Sequence, residues 1–284
     1  MTDSVQHFYN DLADHYHRVY ESWQGSIDRQ AAALADLIQS NCRVSSPEIL
    51  DCSCGIGTQV LGLAKLGYRV QGSDLSPKAI QRAKVESVNR GLDIPFEVAD
   101  FRTLDSTMGR TFDVVLTCDN SLPHLLTEAD LDQALARIGT VLESGGLFIA
   151  SIRDYDALLV EKPDSTTPQV TGRDDDETIV FQVWEWVDDG RTYWVRLFVM
   201  QRESDSWRTD EFVTQYRAIR RDELTLALER SGFADITWLS PEQSGFFQPV
   251  VVAYRRKCLQ KPQAYRRFYR RDRRPSSLCY RANY

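Results

Sequence analysis

Between Glu48 and Ile152, strand-like runs alternate with runs at helical spacing, and this alternation limits the fold more than any other feature of the chain. Strands are expected at 48–53, 68–74, 94–98, 112–117 and 146–152, and helices at 58–66, 77–90 and 128–142. A strand followed by a helix and then another strand must cross over, so neighbouring strands run parallel and helices cover the sheet. The fold class is therefore α/β. Ahead of the sheet, Phe8, Leu12, Val19, Trp23, Ile27, Ala31, Leu34 and Ile38 fall at mostly helical spacing, which predicts one or two amphipathic helices in a cap over residues 1–45.

After Asp156 the pattern changes. A polar stretch, 162–177, precedes strand-like segments at 179–187, 193–201 and 211–216, rich in β-branched and aromatic residues. Asp189-Gly190 is a good hairpin turn, so these segments are expected to form an antiparallel insertion over residues 160–217. A helix at 221–231 and strands at 234–239 and 249–254 then return to the main sheet.

The formal net charge of −7 divides sharply: from Arg255 onward the chain carries +10, and the body before it −17. So acidic a body repels nucleic acid and anionic membranes, whereas the tail attracts both. Residues 1–257 are read as one domain and 258–284, aperiodic and basic, as a disordered tail. With 42% apolar and 26% charged residues, the chain as a whole is globular rather than disordered. No apolar run approaches a membrane span, and Met1 to Asp11 lacks the basic start and apolar middle of a signal peptide. Six scattered cysteines form neither a disulfide framework nor a zinc-site spacing, and free thiols fit a reducing compartment; the reading is cytoplasmic. Whether the chain is a homo-oligomer stays open.

The strand ending at Asp51 runs into Cys52-Ser53-Cys54-Gly55-Ile56-Gly57 and then a helix. Glycines there let backbone approach a ligand at the open end of a parallel strand, although a plain tight turn uses them too. A nicotinamide or flavin site needs a third small residue where Val60 stands, and the Asp51 carboxylate repels a pyrophosphate but suits an ammonium group. Asp74 ends the next strand, 23 residues on, where a carboxylate accepts from both hydroxyls of a ribose. Asp100 follows the third strand, suited to an adenine amino group while Phe101 stacks on the ring.

Ammonium, ribose and adenine together describe S-adenosylmethionine, and in this order of acids and glycines the chain resembles the class I methyltransferases, with their Rossmann-like sheet. Ser53 stands where many members have glycine. The runs Cys118-Asp119-Asn120-Ser121-Leu122-Pro123-His124-Leu125 and Ser151-Ile152-Arg153-Asp154-Tyr155-Asp156 are similar to those of the glycine and glycine/sarcosine N-methyltransferases. That resemblance implies N-methylation of a small amino acid such as glycine or sarcosine, with Asn120 touching the acceptor and Arg153 clamping its carboxylate. It places Cys52, Gly55, Gly57, Cys118 and His124 with the cofactor, Arg29 on the cofactor carboxylate, and Tyr9 or Tyr16 closing the site. No metal is implied. Asp154 replaces the family's Asn and adds negative charge near the carboxylate pocket.

Other readings of the same residues stand beside these. Arg153 is also placed to pair with Asp154 or Asp156, and His124 to cap or pack after Pro123 rather than act as a base. His7, His15 and His17 read as a solvated helix face, and Trp184, Trp186, Tyr193 and Trp194 as core and lid packing rather than a cation cage. Two further function classes remain: a nucleic-acid methyltransferase that uses the basic tail, and a cofactor-sensing protein without turnover. Against the first, the fourth-strand run lacks the Asn- or Asp-Pro-Pro-aromatic motif of nucleobase amino methyltransferases.

Overall fold

The computed structural model describes residues 2–173, 176–187 and 190–257. Two helices open the chain, α1 (Thr2–Leu12) and α2 (Trp23–Asn41), with a 3-10 turn, Tyr16–Val19, between them. The alternating region follows as β1 (Glu48–Asp51), α3 (Thr58–Lys65), β2 (Arg69–Asp74), α4 (Pro77–Asn89), β3 (Phe96–Val98), α5 (Leu104–Met108), β4 (Phe112–Thr117), α6 (Glu128–Val141) and β5 (Leu142–Ser151). Next come α7 (Tyr155–Glu161), β6 (Gln169–Thr171), β7 (Thr178–Trp186), β8 (Thr192–Glu203) and β9 (Ser206–Arg217). The chain closes with α8 (Arg221–Arg230), β10 (Phe233–Leu239), α9 (Pro241–Ser244) and β11 (Val250–Arg255).

Local chemistry sets the helix starts. Ser22, Ser76 and Thr127 each accept a backbone N–H two or three residues into α2, α4 and α6, and Pro77 opens α4 with the φ a first turn needs. The main sheet has the order β10-β11-β5-β4-β1-β2-β3, with β1 to β5 parallel and β11 antiparallel to both β5 and β10. Its central strands, β1, β4 and β5, are largely buried on both faces. Ile49, Val114, Leu116 and Ile149 face Leu34, Ile38, Val60 and Ile80 on one side, while Leu50, Val115 and Phe148 face Leu135, Ile138 and Leu228 on the other. Chain order reverses between β1 and β4, so the crevice beyond their C-terminal ends is where such a sheet binds ligands.

A separate antiparallel sheet, β6-β7-β8-β9, carries α1: Phe8 and Leu12 pack on Val180, Leu197, Val199 and Phe212. Trp184, Tyr193 and Tyr216, at the other end of this sheet, join the main core. The antiparallel insertion and the return of β10 and β11 agree with the sequence reading. Three expectations need correction. The polar stretch 162–177 contains a strand, β6, because Gln169–Thr171 pairs with Thr178–Val180. Helix α7 follows the fifth strand directly, its start fixed by the Asp154 carboxylate, which accepts from Ala157 N. His15 and His17 are half-buried rather than solvated, His15 packing on Phe212 and hydrogen bonding Gln201, and only His7 of the three is exposed. Asp189 and the tail 258–284 lie outside the described residues. Among the described residues, no helix is long and apolar enough to cross a membrane, and no His, Cys, Asp and Glu cluster is arranged to hold a metal.

Candidate active site

Two cavities open beyond the C-terminal ends of β1, β2, β4 and β5, of about 220 and 520 Å3, and both are lined by Tyr9, Tyr16, Tyr20 and Asp119. The first rests on the glycine loop. Gly55 N donates to Asp74 Oδ2 at 2.9 Å and Ser76 N to Asp74 Oδ1 at 2.8 Å, so one carboxylate joins the ends of β1 and β2. Gly55 has φ +54°, and a Cβ there would sit 3.4 Å from the Tyr16 ring, so glycine allows the tyrosine to lie against the loop. Gly57, at φ +100°, starts α3 and lines neither cavity; a Cβ would press on Leu61 and Ala83.

Of the residues singled out above, Tyr9, Tyr16, Cys52, Gly55, Asp74, Asp100, Phe101, Cys118 and His124 line the first cavity, and Asn120, Arg153 and Arg29 the second. Arg29 stands on an exposed face of α2, with a polar contact to Ser26 Oγ at 3.3 Å. Asp51 lines neither. It lies beneath the loop, 1% exposed, with Oδ1 accepting from Ser53 N and Oδ2 without a partner; burial lifts its pKa to about 7. Asp100 is gripped by the Arg102 fork, which also reaches Asp130, so the one cation of this wall is neutralised in place.

These residues fit an S-adenosylmethionine molecule. The first cavity presents Asp74, Asp100, Asp119 and Asp130 against Arg102 alone, and an unpartnered carboxylate oxygen waits under the loop. That balance favours a cationic ligand and opposes a pyrophosphate.

Asp119 and Asn120 follow β4 with φ +59° and +65°. Asp and Asn are the residues other than glycine that best tolerate this region, and the pair is held by Ser151, whose Oγ accepts from Asp119 N and whose carbonyl accepts from Asn120 N. Asn120 Oδ1 accepts from Arg153 N and from the Tyr155 hydroxyl, both at 3.0 Å, while its buried Nδ2 has no partner. Arg153 donates to Tyr193 Oη at 2.9 Å and to Gln182 Oε1 at 3.2 Å, and its guanidinium carbon lies 4.9 Å from the Trp184 ring centre and 5.1 Å from that of Tyr216. Asp154 and Asp156 do not reach it. Both bind Arg221 instead, so the expected negative charge of Asp154 is drawn off to α8. Trp184, Trp186 and Tyr193 pack as read while Trp194 is exposed, and Trp184 also caps a cation of the chain's own.

His124 Nε2 is 2.8 Å from the Tyr9 hydroxyl and its ring lies 4.2 Å from that of Tyr216. Burial pulls its pKa down to about 3, so it is neutral at any working pH and too weak a base to draw a proton from an ammonium group. Several participants went unread in the sequence. Tyr20 stands one helical turn beyond Tyr16, and its hydroxyl donates to Asp119 Oδ2 at 2.9 Å. Asp119 and Tyr155 lay inside the quoted runs but carried no role. Gln182 had no sequence signal at all, since it reaches Arg153 only where the second sheet packs over the end of β5.

The strand order defines the class of fold: the chain has the fold of the class I S-adenosylmethionine-dependent methyltransferases. Residues 49–146 match the family model described as a methyltransferase domain. More particularly, the chain is 32% identical over 154 residues to a glycine/sarcosine N-methyltransferase of Parasynechococcus marenigrum, a match covering 51% of this chain and 55% of that one. It is 25% identical over 206 residues to a glycine/sarcosine N-methyltransferase of Halorhodospira halochloris, covering 67% and 76%. The chain thus spans about half the length of the first relative. Among solved structures it shares its fold with a SAM-bound amino pentose methyltransferase of Micromonospora echinaspora, with a TM-score of 0.68, 21% identity, and coverage of 84% of this chain and 96% of that one.

Proposed function

We propose that the enzyme methylates the nitrogen of a small amino acid such as glycine or sarcosine, held in the second cavity with its carboxylate on Arg153. The observation that carries this reading is the state of Arg153: a guanidinium between two aromatic faces, forming no ion pair among the described residues, on the wall of a cavity. A cation so placed is suited to a carboxylate that arrives from outside, and its planar fork matches one bidentately. Asn120, with its amide nitrogen unpartnered, adds a donor beside it.

In this reading Asp74 and the loop from Cys52 to Gly55 hold S-adenosylmethionine in the first cavity, Asp100 and Phe101 take its adenine side, and Asp51 balances its positive charge from below. When bound, the cosubstrate supplies a methyl group on a sulfonium, open to in-line displacement by a nitrogen lone pair. The chain's own task is then to position the nitrogen and exclude water. Tyr9, Tyr16 and Tyr20, shared by both cavities, form the screen through which the nitrogen must reach the methyl group. His124 holds Tyr9 in that screen. The 520 Å3 of the second cavity exceeds what glycine fills, so amino acids whose side chains reach Leu197 or Phe246 belong to the same class of acceptor.

Incubation with radiolabelled S-adenosylmethionine and a panel of amino acids, simple amines, phenols, amino sugars and RNA tests the reading. Transfer to α-amino acids, and not to the matching decarboxylated amines, is the expected result. Preferred transfer to RNA would replace it with the nucleic-acid reading that the +10 charge from Arg255 onward favours.

A further inference from the structure

We propose that Asp119 binds the acceptor's ammonium group and takes its proton, so that the second cavity receives its substrate as a zwitterion. The inference rests on the acceptor reading above. Asp119 and Arg153 line the same cavity, yet no ion pair joins them among the described residues. An anion and a cation facing one cavity without meeting are the complement of a molecule that carries both charges.

Position makes Asp119 more than a counter-charge. It lines both cavities, in company with Tyr9, Tyr16 and Tyr20, so a nitrogen resting on it stands between the acceptor site and the glycine loop. Tyr20 donates to the carboxylate at Oδ2, and the backbone beneath it is fixed at φ +59° by Ser151, whose Oγ accepts from the Asp119 N–H. Oδ1 is left for the substrate. The titratable groups around it are Tyr20 and Tyr16 from the segment before α2, Tyr216 from β9, Cys118 from the end of β4 and Arg153 from the end of β5. Burial pushes the three phenols and the thiol upward, so all four stay protonated near neutral pH. Arg153 is a permanent cation, and His124 is too weak a base. The exposed Glu21 and Arg29 line the same cavity from the solvent side.

The step balances simply. One N–H proton passes from the ammonium nitrogen to Asp119 Oδ1, leaving a neutral amine with its lone pair and a neutral carboxylic acid. After the nitrogen has gained its methyl group it is again a cation, and Asp119 returns its proton to solvent, one proton being released per turnover.

Asp119→Asn and Asp119→Gly both suit φ +59°, so the fold tolerates either change. The first measurement is calorimetric binding of glycine and sarcosine against glycolate and acetate, which keep the carboxylate and lack the nitrogen. Wild type is expected to prefer the amino acids at least tenfold at pH 7, and both variants to lose that preference while binding glycolate as before. The second is kcat/KM against pH. Both variants are expected to lose about 100-fold or more at pH 7 and to recover to within about tenfold above the pKa of the acceptor's amine, where the amine arrives already deprotonated. If wild type methylates an amino acid and both variants keep its rate and pH profile, Asp119 is only a tie for Tyr20 and this inference alone fails. If wild type methylates no carboxylate-bearing amine, the acceptor reading fails and takes this inference with it.

Discussion

Arg153, half-buried, and the buried Trp184 form a cation–π pair, the guanidinium carbon 4.9 Å from the ring centre, at a place where arginine has no acidic partner among the described residues. The indole and the Tyr193 hydroxyl fix the plane of the fork without neutralising it. Arg153→Lys keeps a cation and loses the fork, and Arg153→Met loses both, so kcat/KM for the best acceptor falls in the order Arg, Lys, Met. A desolvated carboxylate pair is worth roughly 2 to 5 kcal/mol, on the order of 30- to 4000-fold. Titration with S-adenosylmethionine serves as the control and should give nearly unchanged affinity. Wild-type transfer by Arg153→Met would remove the clamp.

Asp74 carries two backbone N–H groups and is 8% exposed, with lone pairs left to face the first cavity. Asp74→Ala removes charge-assisted hydrogen bonds worth roughly 1.5 to 3 kcal/mol each, so S-adenosylmethionine affinity falls at least about tenfold. Because the loop is tied through the same carboxylate, a melting curve accompanies the titration. Lost affinity with a retained Tm assigns the effect to the ligand rather than to the loop.

Asp51, with a pKa near 7 against roughly 3.9 in an unfolded chain, makes stability depend on pH in a definite direction. Its folded pKa is raised, so its contribution is fully present below about pH 4 and is lost as pH rises through 7. The ligand-free wild type should therefore melt lower at pH 8 than at pH 5 by a margin that Asp51→Asn reduces. A cationic ligand favours the ionised carboxylate, so S-adenosylmethionine binding tightens as pH rises through 7 and releases a proton below it. Identical pH slopes for wild type and Asp51→Asn would show that this carboxylate does not titrate there.

Gly62 lies where α3 crosses α2: a Cβ would stand 2.5 Å from Ala31 Cβ and 2.7 Å from the Ile27 carbonyl oxygen. The crossing carries the glycine loop at the head of α3, so it sets the loop's position. Gly62→Ala is expected to cost roughly 1 to 3 kcal/mol through this overlap, lowering Tm by about 2 to 10 °C. The opposite outcome, a gain from better helix propensity, would mean that the two helices separate easily.

The strands and helices of the α/β half were legible because their signals are local. A strand buried on both faces reads as a continuous apolar run, as in Leu147–Ala150 of β5, and capped helices announce their starts, as at Ser76-Pro77 and Thr127. The candidate site was legible where a glycine or an acid must stand at the end of a strand, as at Asp51, Gly55 and Asp74. Side chains that meet through tertiary packing were not. Tyr20 and Asp119 are 99 residues apart, and Arg153 finds Gln182 only where one sheet packs against the other.

Sequence by itself determined the parallel sheet, the acids at its edge and the two loops that follow β4 and β5, because strand period, turn chemistry and charge are properties of short segments. Only the tertiary structure decided which charges remain available. Asp154 and Asp156 look in the sequence like partners for Arg153, but the chain direction after Arg153 sends them to Arg221. Asp119, silent in the sequence, lies on the wall between two cavities because α1, the 3-10 turn and β9 fold back over the sheet. An ion pair depends on distances of a few ångströms between segments remote in the chain. Those distances are fixed by packing, not by neighbouring residues.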